Sequence, residues 1–111
     1  MCVTPDDKHA LSGGAEDIVR LWEMTTGREL RQFDVKGHVR SIAIIDANRF
    51  ITGDHDKIKV WDLNTGKKLL ESPAQPSCVQ SVAYFEKQGR GYVVFGTEEW
   101  GLRLWRMPPI P

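Results

Sequence analysis

Phe50-Ile51-Thr52-Gly53-Asp54-His55-Asp56-Lys57-Ile58-Lys59-Val60-Trp61-Asp62-Leu63-Asn64-Thr65-Gly66 contains two apolar runs, an acidic turn between them and a second turn after them. Phe50-Ile51-Thr52 and Ile58-Lys59-Val60-Trp61 are rich in β-branched and aromatic residues, which suit short strands. Asp54-His55-Asp56-Lys57 reverses the chain between them. Asn64-Thr65-Gly66 reverses it again into Lys68-Leu69-Leu70, with glycine tolerating the positive φ such a turn demands. Upstream, Ser41 to Ile45 reads as a further strand, and Asp46-Ala47-Asn48-Arg49 as the turn into Phe50. The stretch is a four-stranded antiparallel meander.

The same pattern occurs on either side. Ile18-Val19-Arg20-Leu21-Trp22-Glu23 and Leu102-Arg103-Leu104-Trp105-Arg106 repeat the order aliphatic, base, aliphatic, tryptophan, polar. Trp22 and Trp61 stand 39 residues apart, and Trp61 and Trp105 stand 44 apart. A glycine closes an apolar run before each tryptophan, at Gly13, Gly53 and Gly96, and the turn Thr25-Thr26-Gly27 precedes Asn64-Thr65-Gly66 by the same 39 residues. Agreement of strand, turn and aromatic positions at one period marks a repeat architecture. No segment has apolar spacing of three and four residues long enough for a helix.

Bulk properties narrow the function. The chain of 111 residues is 41% hydrophobic, enough for a core of ordinary size. Fifteen basic residues balance fifteen acidic ones, so there is no overall positive field to hold a phosphate backbone or an anionic membrane. Neither nucleic acid nor membrane is an expected partner. No stretch approaches the roughly 18 apolar residues of a membrane helix, and Met1 to Asp7 lacks a secretory pattern. Cys2 and Cys78 lie far apart, without the paired spacing of a zinc or redox site, and read as reduced thiols. The expected location is the cytoplasm.

These motifs resemble the WD-repeat family, in which each repeat of about 40 to 45 residues forms a four-stranded blade of a β-propeller. The resemblance covers nearly the whole chain and implies an all-β fold with blades over 1–36, 37–75 and 76–111. The family's terminal dipeptide stands as Trp61-Asp62, is softened to Trp22-Glu23 and becomes Trp105-Arg106. Family blades carry a hydrogen-bonded set of His, Ser or Thr, Asp and Trp. Carried over by position, that set comprises Thr52, Asp56 and Trp61 in the middle repeat and Ser12, Glu16 and Trp22 in the first. Glu99 and Trp105 remain in the third, where Phe95 replaces the hydroxyl. Gly37-His38 resembles the family's Gly-His pair, but Val39 follows at once, so His38 is either a network member or a loop residue.

The tryptophans read as packing between blades with the indole N–H satisfied. Arg20, Lys59 and Arg103, each two residues before its tryptophan, are expected to lay their stems over apolar surface and keep their charges in water. Counting Cys2-Val3-Thr4 as the first strand gives eleven strands. The third blade is expected to lack its outer strand, since Pro108, Pro109 and Pro111 remove the donors a ladder needs. Closed propellers use about four to eight blades. Three remain compatible with part of a longer propeller, with two copies closing a six-blade ring, or with an open stack.

A catalytic or ligand-binding alternative rests on Asp54-His55-Asp56. Three consecutive residues in a tight turn do not converge on one point, and a solvated turn is the better reading. No serine elbow, paired cysteine set, phosphate loop or His-x-x-x-His pair occurs, so no catalytic residue, metal or cofactor is expected. The resemblance implies a protein-binding scaffold with its surface on rim loops. Candidate partner-binding residues are Lys36, His38, Asp54, His55, Lys57, Gln75, Glu98 and Trp100.

Overall fold

The computed structural model describes residues 2–4, 7–13, 17–35, 39–46, 48–54, 57–73, 79–97 and 101–108. Among these residues there are eleven strands and no helix, arranged as three antiparallel sheets. The first sheet contains β1 (Cys2–Val3), β2 (His9–Ser12), β3 (Ile18–Glu23) and β4 (Arg28–Asp34), in that order. The middle sheet contains β5 (Ser41–Asp46), β6 (Arg49–Gly53), β7 (Ile58–Asp62) and β8 (Lys68–Glu71). The third contains β9 (Val79–Lys87), β10 (Arg90–Thr97) and β11 (Gly101–Arg106). Each strand pairs with its neighbour in sequence, as the expected all-β propeller blades require.

Local chemistry sets the bends. Gly27 and Gly66 adopt φ of 72° and 77°, and their N–H groups donate to the carbonyls of Glu23 and Asp62 at 2.8 and 2.9 Å. In the middle sheet the Asp62 carboxylate caps the same turn, accepting from the N–H of Asn64 at 2.8 Å and of Thr65 at 3.3 Å. Glu23, one methylene longer, instead accepts from the Thr26 hydroxyl at 2.8 Å. A bulge precedes the tryptophan in both sheets. Leu30 and Leu69, 39 residues apart, are the unpaired residues. In the third sheet Gln88 and Gly89 both have positive φ, 52° and 74°, which gives the two-residue hairpin turn that matches strand twist.

Alternating side chains give every sheet two faces. Leu11, Val19 and Phe33 of the first sheet meet Phe50, Trp61 and Leu63 of the middle sheet in one buried cluster. The other face of the middle sheet, Ile51, Ile58 and Val60, meets Val79, Val93 and Phe95 of the third, with Trp105 packed alongside. The middle sheet is therefore covered on both sides. Phe33 stands edge-on to Phe50 at 5.1 Å, and Phe50 stacks near Trp61 at 6.4 Å. Burial of side chains this large stabilises by about 1.5–3 kcal/mol each. Packing between sheets is thus the main source of stability.

The packing has a direction. The tryptophan-bearing face of the middle sheet lies on the first sheet, and that of the third lies on the middle one. At the boundary between the middle and third sheets only glycine fits at position 53: a Cβ there would stand 2.7 Å from Ser41 Oγ and 2.8 Å from Val79 Cγ1.

Candidate functional site

The sequence-derived network begins with the tryptophans. Strand register places Ser12 opposite Arg20, Thr52 opposite Lys59 and Phe95 opposite Arg103, each base two residues ahead of its tryptophan. That spacing lets the indole reach across to the neighbouring strand. Trp22 Nε1 donates to Ser12 Oγ at 2.7 Å, and Trp61 Nε1 donates to Thr52 Oγ1 at 2.9 Å. The two pairs differ in setting. Thr52 and Trp61 are 1% and 6% exposed, whereas Ser12 and Trp22 are half-buried on the outward face of the first sheet. In the third sheet Phe95 is buried in the hydroxyl's place and Trp105 packs on the adjoining cluster. Glu16, His38, Asp56 and Glu99 lie outside the described residues.

Two expectations require correction. Lys59 does not keep its charge in water. It is buried, its Nζ lies 3.0 Å from Asp54 Oδ2, and it donates to the carbonyl of Val35, just past the end of β4, at 3.2 Å. Lys59 shares the face of Trp61 that presses on the first sheet, where Asp54 and the Val35 carbonyl receive its ammonium. Asp54, taken from sequence as a rim residue for a partner, is buried beside Lys59. Its second carboxylate oxygen accepts from the Lys57 N–H at 2.9 Å, and its backbone carbonyl accepts from Val79 N–H at 3.2 Å. This cluster therefore links all three sheets. Nothing in the sequence set Lys59 apart, since Arg20 and Arg103 stand in the same aliphatic-base-aliphatic pattern.

The other two bases behave differently. Arg20 is half-exposed, with its Nε 3.2 Å from Glu29 Oε1, and Arg103 is exposed. At the rim, Lys57 is half-buried with Nζ 3.7 Å from Glu71 Oε2. Lys36, His55, Gln75, Glu98 and Trp100 lie outside the described residues.

Described residues that flank several of these candidates share one end of the sheets. Val35 N–H donates to the Asp17 carbonyl at 2.9 Å, bringing the exit of β4 to the start of β3. Arg40 N–H donates to the Gly53 carbonyl at 2.9 Å, and Val79 meets Asp54, so the entries to β5 and β9 lie beside the turn between β6 and β7. The opposite end carries the capped turns and a groove of about 340 Å³ between the first two sheets, lined by Thr4, His9, Leu21, Leu30, Leu63 and Asn64. Arg31 bridges these sheets there by donating to the Asn64 carbonyl.

Residues 27–62 match the family WD domain, G-beta repeat. The matched segment spans β4, β5, β6 and β7, so this part of the chain is similar to a WD40 repeat. Among solved structures, the crystal structure of the computationally designed Ika4 protein is similar, with 27% identity and a TM-score of 0.71. The likeness covers 92% of this chain and 62% of the designed one, so this chain spans less than two thirds of that protein's length. With 559 matching chains among solved structures, the likeness identifies a widely shared architecture rather than one activity. No curated protein matches the chain.

Proposed function

We propose that the chain is a non-catalytic protein-interaction module, with the WD blades as a rigid support for loops at one end of the sheets. A WD40 repeat points to an interaction scaffold in general. The observation that carries the finer reading concerns the polar groups most able to do chemistry. Lys59 is paired with Asp54 and the Trp61 indole with Thr52 inside the fold, while Lys57 stands half-buried beside Glu71. A buried lysine and aspartate that satisfy each other hold a scaffold together. They are poorly placed to bind a metal or transfer a proton to an incoming substrate.

The partner is another protein, and the ring is completed by further blades, from a longer propeller or from a second copy. A reducing compartment such as the cytoplasm suits the free thiol of Cys2, whose pKa is pushed up by burial against the first core cluster. Affinity capture comparing the chain with a Lys57→Glu, His55→Ala double variant tests the reading, and a specific bound protein should be lost with the variant. Calorimetric titration with zinc tests the competing enzymatic reading. No tight site is expected, and micromolar binding abolished by His55→Ala would overturn the scaffold reading.

A further inference from the structure

Two bulges of the same kind, 39 residues apart, end in different surroundings. The bulge in β4 sets Leu30 beside Arg31, and the bulge in β8 sets Leu69 beside Leu70. Leu69 and Leu70 pack against the core cluster between the middle and third sheets. Their counterparts leave the space between the first and middle sheets open. Leu30 is 43% exposed, Arg31 is exposed, and the groove of about 340 Å³ at the turn end lies between them and Leu63 and Asn64. It sits at an internal boundary, with a described sheet on either side.

The groove is amphipathic. Leu21, Leu30 and Leu63 line it with apolar surface, Arg31 supplies a cation beside them, and none of the described lining residues is acidic. Arg20, Arg49 and Lys59 each stand against a carboxylate. Arg31 has only neutral partners among the described residues: its Nη1 donates to the Asn64 carbonyl, and its guanidinium lies 6.0 Å from the centroid of the Phe33 ring. A guanidinium carries five N–H donors in a planar fork, so one carbonyl leaves donors for a carboxylate. The facing wall is held as well, since the Asn64 side-chain amide donates to Asn48 Oδ1 at 3.1 Å. A cation and an apolar surface fixed in advance lower the ordering cost of binding.

We infer that this groove binds an extended segment of a partner protein in which an apolar side chain stands near an acidic one. The apolar side chain seats on Leu21, Leu30 and Leu63, and the carboxylate accepts from the Arg31 fork. A volume of about 340 Å³ is near the lower end of ligand pockets, which suits one or two side chains of a peptide rather than a folded surface. The adjoining turns carry both signs of charge, Lys8, Arg28 and Lys67 against Asp7, Glu23 and Asp62, so selectivity for an acidic segment rests on Arg31 inside the groove and not on a general field. The groove opens at the end of the sheets opposite the rim loops, and it is a contact separate from theirs.

Fluorescence anisotropy with short labelled peptides in a Gly-Ser background tests the groove. One set pairs leucine with glutamate at varied spacing, and two control sets replace glutamate by glutamine or leucine by serine. At least one leucine-glutamate peptide should bind the parent chain with a micromolar dissociation constant, and its controls should bind about tenfold more weakly or worse. Arg31→Leu, which gives this position the side chain that the fold already accepts at its counterpart Leu70, should abolish the preference for glutamate over glutamine. Leu30→Glu, at an exposed position that leaves the Arg31 bridge in place, should weaken the same peptide by about tenfold or more. Lys57→Glu at the rim should leave it unchanged. Failure of every leucine-glutamate peptide to bind would overturn the inference, as would a glutamate preference that survives Arg31→Leu. Binding of decanoate with none of the peptides would make the groove a site for a small carboxylate and overturn the protein partner, and loss of binding on Lys57→Glu would move the contact to the rim. A negative result in the groove leaves the rim reading standing, because that reading is tested by variants at the other end.

Discussion

Replacing Thr52 with valine removes one hydroxyl while keeping the shape of the side chain. In the middle sheet that hydroxyl is the acceptor for the Trp61 indole, at 2.9 Å, and the two residues are 1% and 6% exposed. Water therefore has little room to take over, and the variant leaves a buried N–H without its acceptor. Such a group costs about 1–3 kcal/mol. Ser12→Ala removes the matching acceptor of Trp22 on the half-exposed face of the first sheet, where solvent can replace it, and should cost at most about 1 kcal/mol. For a chain of this size a loss of 1–3 kcal/mol lowers the melting temperature by roughly 5–15 °C. Thermal denaturation followed by circular dichroism and by tryptophan fluorescence measures both variants on one scale. Equal losses for the two, or a Thr52→Val melt indistinguishable from the parent, would refute the argument that burial sets the worth of this pair.

Three other perturbations test different parts of the structure. Lys59→Ala should destabilise by about 3–5 kcal/mol in urea denaturation, since it leaves the Asp54 carboxylate buried without its partner. The Lys59→Met, Asp54→Asn double variant should recover much of that loss. Trp61→Ala, which empties a site beside Phe50 and Thr52, should cost about 3–5 kcal/mol, and an unchanged melt would place Trp61 outside the core. Burial raises the pKa of the Asp46 carboxyl, but hydrogen bonds from Arg49 and the Asn48 N–H outweigh this and hold it below the ordinary 3.8. A lowered folded pKa contributes stability that is present above the unfolded value and lost as pH falls through the folded one. The difference in melting temperature between the parent and Asp46→Asn should therefore be present at neutral pH and vanish as pH falls below about 4. A difference that persisted in acid would remove the carboxylate as its cause.

The repeat was legible because tryptophan, glycine and turn residues recur at fixed offsets, and each is demanded by backbone geometry or by packing. β6 extends one residue beyond the run read from the sequence at each end, and β7 one residue at its end. The bulges at Leu30 and Leu69 were not legible, since a leucine there is equally suited to regular pairing. Nor was the burial of Lys59. A lysine in an amphipathic strand normally reaches water, and the carbonyl that receives it belongs to Val35, just past the end of β4 and 24 residues away. For the partner-binding candidates, the pattern identified loops without identifying what they hold. Lys57 is seen beside Glu71, while Asp54 turned out to belong to the interior.

The segment 27–62 that matches the WD40 repeat is out of phase with the sheets, taking β4 from the first and β5, β6 and β7 from the middle one. The unit copied in the sequence is thus a different unit from the one that folds. Adding a copy supplies an outermost strand to one sheet and three inner strands to the next, so tandem duplication lengthens the array without creating a sheet wholly independent of its neighbour. Excising 27–62 would do the reverse, removing the outer edge of one sheet and leaving β8 without the strand it pairs with. A fragment cut at the connections, spanning 39–73, would keep all four strands of the middle sheet together. Truncation should therefore be tolerated according to sheet boundaries rather than the boundaries of the repeat.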